Sequence, residues 1–103
     1  MDKIQEMVRR IVERFHPERV ILFGSHARGT AGPDSDADLL VVLRDAAPKR
    51  AKVIDMYRLL ARIGLPKDVI LVTPEEVERY RDVCGTIIRP ALLEGKVLYE
   101  RGG

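Results

Sequence analysis

A chain of 103 residues, 46% hydrophobic and 33% charged, is long enough for one domain with its own core and too apolar to stay disordered. A net charge of +2 is too small to argue for nucleic acid by itself, so no direct nucleic-acid binding is expected, and no apolar run approaches the roughly 20 residues of a membrane span. With no signal-like start either, we expect a cytoplasmic protein forming a single domain over residues 1–103.

The first predicted element is an amphipathic helix. Ile4, Met7, Val8, Ile11, Val12 and Phe15 recur at the i, i+3, i+4 spacing until His16-Pro17 stops them. Arg9, Arg10, Arg14 and Arg19 read as a solvated face, not a binding patch, and His16 as a helix-end residue. Val20-Ile21-Leu22-Phe23 has the apolar run of a buried strand. Gly24 lets the backbone turn closely, and Ser25 is a favoured N-cap before His26-Ala27-Arg28. His26 has no evident partner and is expected to be exposed. Thr30 to Asp34 form a connecting loop that Ser35 is expected to brace through its side chain. Asp36-Ala37-Asp38 then leads into Leu39-Leu40-Val41-Val42-Leu43, the unbroken apolar run of a strand buried on both faces.

Past the loop Asp45-Ala46-Ala47-Pro48, the stripe Val53, Met56, Tyr57, Leu60 and Ile63 marks a second long helix, broken at Gly64-Leu65-Pro66. Lys67 to Val72 form the next strand, with Asp68 at its start. Thr73-Pro74-Glu75-Glu76 supplies an N-cap, a proline at N1 and an acidic first turn. Val77, Tyr80, Cys84, Ile87 and Ile88 continue as a third stripe, weakened by Gly85 and interrupted by Pro90, and so read as one helix or two short ones. The single cysteine, Cys84, cannot form an internal disulfide and is expected to be buried and inert on that stripe. Tyr57, Tyr80 and Tyr99 are expected as core or rim aromatics, and Lys96 to Tyr99 as an edge strand. Strands alternating with helices give an α/β fold with helices packed on a sheet. The absence of Asn, a single Gln and abundant Arg and Glu match a bias of proteins from hot environments.

The chemistry concentrates between residues 24 and 38. On a strand, Asp36 and Asp38 project to the same side with Ala37 opposite. Two neighbouring carboxylates repel unless a cation sits between them, and Mg²⁺ is the hard ion that takes carboxylate and phosphate oxygens together. A strand, a tight turn and a helix start at Gly24-Ser25 suit the phosphates of a nucleotide, and Arg28 could reach a phosphate oxygen. An EF-hand loop would need further oxygen ligands where Leu39 to Leu43 stand, and a P-loop would need Lys where Thr30 stands. Phosphoryl or nucleotidyl transfer is the chemistry this pattern supports.

The sequence from Gly24-Ser25-His26-Ala27-Arg28-Gly29 to Ser35-Asp36-Ala37-Asp38-Leu39 resembles the DNA polymerase β-like nucleotidyltransferases, and among them the minimal nucleotidyltransferases. That family's signature reads G-S-x-A-R-G, a loop, then S-D-x-D-L. The resemblance implies a nucleotidyltransferase fold with a small mixed sheet flanked by helices. It also implies a third carboxylate, matched by Asp68 in Lys67-Asp68-Val69-Ile70-Leu71-Val72. By this resemblance Asp36, Asp38 and Asp68 are the catalytic and metal-binding residues for two Mg²⁺ ions. Gly24, Ser25 and Arg28 would bind the nucleotide, with ATP as substrate.

The motifs and their supporting helices use up the residues, so we expect the acceptor to approach an open face from another protein. The resemblance implies a helical HEPN-type toxin as partner, with AMP transferred to one of its tyrosines by the antitoxin. Two alternatives remain at this level: an antitoxin that acts by binding alone, and a nucleotide-binding subunit of another nucleotidyl-transferring assembly. A complete set of carboxylates argues against pure binding.

Overall fold

The structure, a computed structural model, describes residues 2–32 and 34–102. Helix α1 covers Lys3–Phe15, strand β1 Arg19–Phe23, the single-turn helix α2 Ser25–Arg28 and strand β2 Ala37–Val42. Helix α3 (Lys49–Leu60), strand β3 (Lys67–Val72), helices α4 (Pro74–Tyr80) and α5 (Ile88–Glu94) and strand β4 (Lys96–Glu100) complete the order. The strands form one mixed sheet in the order β3-β2-β1-β4, with β1 antiparallel to both neighbours and β2 parallel to β3. The mixed sheet flanked by helices is the architecture expected.

Alternation along the strands splits the core between two faces. Val20, Leu22, Leu39, Val41, Val69 and Leu71 point to one side and pack with Met7, Ile11, Met56 and Leu60 of α1 and α3. Ile21, Phe23, Leu40, Val42 and Val72 point to the other and pack with Val77, Ile88 and Ala91 of α4 and α5. Both layers are apolar, and no polar or charged side chain among the described residues is buried. Among the described residues, no helix is long and apolar enough to cross a membrane.

Local chemistry explains most boundaries. Asp2 caps α1 by accepting the Ile4 N–H at 2.8 Å, and His16 ends it in the left-handed conformation with φ 51°. The α1 arginines lie on a solvated face: Arg9 pairs with Glu6 and Glu13, Arg10 with Glu6, and Arg14 with Asp55 of α3. Hydrogen bonds from Arg9 and Arg10 pull the Glu6 carboxyl down to about 2. Thr73 and Glu76 form a reciprocal capping box at the start of α4.

Three expectations need correction, and the choice between one helix and two in the third stripe is decided. Helix α3 ends at Leu60, so Ile63 packs against the core from the following turn, not from the helix. The third stripe is two helices separated by residues 81–87, where Gly85 has φ 90°. Pro90 sits inside the first turn of α5, where its missing N–H costs no helical bond. Cys84 falls in the intervening turns and is exposed, not buried.

Candidate active site

The sheet's α4/α5 face is covered only in part. Towards the C-terminal end of β1 and the N-terminal ends of β2 and β3, the side chains facing that way change from apolar to acidic. Asp38 follows the alternation of Leu40 and Val42, and Asp68 that of Ile70 and Val72. The two are direct partners in the parallel β2–β3 ladder, and Asp38 lies opposite Phe23 of β1. Asp36 stands just before β2 and is exposed; Asp38 is half-buried and Asp68 exposed.

Three carboxylates on one patch disturb each other. Burial, then the neighbouring Asp68 and Asp36 carboxylates, push the Asp38 carboxyl above its ordinary range, against the pull of His26 and Arg28. Among the described residues, no three acidic, histidine or cysteine side chains are gathered into a ready-made metal cage. Mg²⁺ does not require one, since it is held by one or two carboxylates together with substrate phosphates. The donor set is all hard oxygen, which fits that ion.

Gly24 carries the geometry that joins the two halves of the motif. Its φ of 75° belongs to the left-handed region, and a Cβ placed there would collide with Asp38 Oδ2. The missing side chain lets the turn lie against the carboxylate. Gly24, not Ser25, occupies the N-cap position of α2 and makes no side-chain cap; Ser25 is the first helical residue. The expectation that Ser25 caps the helix is thus corrected, because the backbone reverses one residue earlier. Ser25 nevertheless follows directly on the glycine that touches Asp38. Arg28, at the far end of the turn, is exposed and only loosely paired with Glu94 at 3.8 Å.

Two residues read as inert in the sequence hold this site in place. His26, expected to be exposed, is half-buried and donates from Nε2 to the Ser35 carbonyl at 3.0 Å. Ser35 Oγ accepts the Gly32 N–H at 2.9 Å, the loop brace expected of it. Tyr57 of α3 accepts the Val69 N–H at 2.8 Å and donates to Asp68 Oδ1 at 3.2 Å. Its stripe position signals a packing residue; only the wrap of α3 around the β3 edge reveals the polar end. A surface cavity of about 590 Å³ runs along α5 between Cys84 and Glu94 and is not lined by the carboxylates.

A nucleotidyltransferase domain model matches residues 3–98, nearly the whole chain. The chain belongs to the nucleotidyltransferase domain family. A provisionally named protein adenylyltransferase of Methanocaldococcus jannaschii is 35% identical over 95% of this chain and 70% of its own length. A second from the same organism, also provisionally named, is 33% identical over 52% of this chain and 54% of its own. Among solved structures, a provisionally named nucleotidyltransferase from Sulfolobus solfataricus aligns with a TM-score of 0.61 at 24% identity, covering 96% of this chain and 78% of that one. A toxin–antitoxin structure with AMP-PNP aligns with a TM-score of 0.68 at 19% identity, over 95% of this chain and 74% of the other. These structural likenesses concern the fold of this nucleotidyltransferase.

Proposed function

We propose that this nucleotidyltransferase transfers AMP from ATP to a hydroxyl of a partner protein, a tyrosine of a HEPN-type toxin, and thereby acts as its antitoxin. The observation that carries the reading is the Gly24 backbone seated against Asp38, with Asp68 in register beside it. That contact sets a tight turn and a helix start next to a carboxylate patch, an arrangement suited to nucleotidyl transfer. The acceptor class rests on the relatives named as protein adenylyltransferases, and the partner class on the toxin–antitoxin fold neighbour and the signature from Gly24 to Leu39.

In this reading Asp36, Asp38 and Asp68 hold two Mg²⁺ ions, which when bound neutralise the triphosphate and lower the pKa of the attacking hydroxyl. The Gly24 backbone and the Ser25 hydroxyl hold the β- and γ-phosphates, and Arg28 exchanges its loose pairing with Glu94 for a phosphate oxygen. The acceptor oxygen bonds to the α-phosphorus as the α–β bridging bond breaks. Pyrophosphate leaves, and the hydroxyl proton passes to a carboxylate, with Asp68 exposed on the edge strand to receive it. The patch stays open on the solvent side, so the acceptor can arrive on a second protein.

Mass spectrometry tests the proposal. With ATP, Mg²⁺ and a cognate HEPN-type protein, the partner should gain one or more AMP units on tyrosine. Asp36→Ala, Asp38→Ala and Asp68→Ala should each abolish the gain, and Ser25→Ala and Arg28→Ala should reduce it. An unmodified partner with the wild-type chain would refute the activity.

A further inference from the structure

The geometry points to Tyr57 as a positioning residue for the active site, acting through Asp68. This inference rests on the proposed role of Asp68 as a metal-binding carboxylate.

Strand β3 is an edge strand with β2 on one side only. The Val69 N–H, one residue beyond Asp68, goes to the Tyr57 hydroxyl at 2.8 Å. The same hydroxyl has one proton to give, and it goes to Asp68 Oδ1 at 3.2 Å. Tyr57 therefore joins the edge-strand backbone to the side chain of the preceding residue. An exposed aspartate on an open edge would otherwise sample several rotamers, each nearly equal in energy in water.

The bond fixes the carboxylate in two ways. It engages one lone pair of Oδ1, which leaves Oδ2 and the second lone pair of Oδ1 available to a metal ion. It also ties the carboxylate to α3, whose Met56 and Leu60 are fully buried on either side of Tyr57 in the helix. A side chain on the edge strand of the sheet thus takes its orientation from the core. The hydroxyl's proton is committed to Asp68, so Tyr57 supplies orientation and not acid catalysis. Partners that orient ligating carboxylates in this way typically contribute 10–100-fold to metal affinity.

Calorimetric titration of Mn²⁺ in the presence of AMP-PNP, on the complete chain, provides the test. Tyr57→Phe keeps the ring and removes the hydroxyl, and should weaken Mn²⁺ binding about 10-fold. In an Asp68→Asn background the same substitution should have no further effect, because the interaction it removes is already lost. Equal binding by Tyr57→Phe and wild type overturns the proposal alone. An equal loss in both backgrounds also overturns it, since that is the signature of a purely structural role. Unchanged binding in Asp68→Asn removes the basis of the proposal together with the assigned role of Asp68. If Tyr57→Phe fails to fold in EDTA, 3-fluorotyrosine at position 57 keeps both hydrogen bonds. Its ¹⁹F resonance should then shift on adding Mg²⁺ and AMP-PNP in the wild type and stay in place in Asp68→Asn; a resonance that shifts alike in both overturns the proposal.

Discussion

At Gly24 a single hydrogen in place of a methyl decides whether the site can close. Gly24→Ala meets two obstacles, a φ of 75° and the oxygen of Asp38. Strain of this kind costs on the order of 1–3 kcal/mol, and the turn can relieve it only by moving away from the carboxylate. The variant should therefore lose stability in urea and lose AMP-PNP binding in calorimetry, a joint loss that simple destabilisation at a distant position would not give. Asp38→Asn should do the reverse to the metal-free protein. The Asp38 carboxyl titrates above its ordinary 3.8, mainly through burial and then through Asp68 and Asp36. Its contribution to stability is fully present below the unfolded value and disappears as pH rises through the folded one. At pH 7 in EDTA the charged carboxylate thus opposes folding, and the asparagine variant should show a higher urea midpoint than wild type. That advantage should shrink as the pH is lowered towards the unfolded value. A lower midpoint at pH 7 would assign Asp38 a structural task instead.

Elements were legible where one period ran uninterrupted. Helix α1 repeats its apolar stripe from Ile4 to Phe15, and β2 carries an unbroken apolar run, so both were evident from side chains alone. Pro90 misled because a proline in a first helical turn looks the same in sequence as one that breaks a helix. Cys84 matched the stripe of a continuous helix, but α4 ends at Tyr80 and Cys84 falls in the turns that lead to α5. Asp36 and Asp38 were legible because paired charges before a buried strand are locally anomalous. The roles of His26 and Tyr57 were not, since each depends on a partner brought in by the fold: a loop carbonyl for one and the neighbouring edge strand for the other. Helix α4 offers a test at this scale. Thr73 accepts the Glu76 N–H at 3.1 Å, Glu76 accepts the Thr73 N–H at 2.9 Å, and Lys49 of α3 pairs with Glu76 at 2.5 Å. Thr73→Ala should cost about 1 kcal/mol in denaturant unfolding. Burial would raise the Glu76 carboxyl, but Lys49 and the Thr73 backbone outweigh it, and it ends below its ordinary 4.5. A lowered pKa stabilises the fold above the unfolded value and loses that contribution as pH falls through the folded one. Glu76→Gln should therefore flatten the acid limb of the stability profile below about pH 4.5 while changing little of its slope at neutral pH.

For the whole molecule, the carboxylates lie outside both apolar layers, at the end of the sheet that α4 and α5 leave open. Folding and chemistry are consequently separable. AMP-PNP with Mg²⁺, at 100 times its dissociation constant, should stabilise the wild type by about 2.7 kcal/mol. For a domain of this size each kcal/mol raises Tm by about 4–8 °C, so the shift should be plain in a thermal scan. The Asp36→Ala/Asp38→Ala variant should fold as well as wild type and show no such shift. Under the proposed antitoxin role, the same variant decides how neutralisation works in cells. Removing both carboxylates leaves the helices, the strand edges and the α5 surface as they are, so any partner that binds those surfaces still binds. If neutralisation needs AMP transfer, the double variant should fail to protect cells expressing the HEPN-type toxin, although it still co-purifies with it. The toxin recovered from those cells should carry no added AMP, whereas toxin recovered beside the wild-type chain should carry it. Full protection by the double variant, with an unmodified toxin, would establish contact alone as the mechanism and leave the carboxylate patch without a part in it.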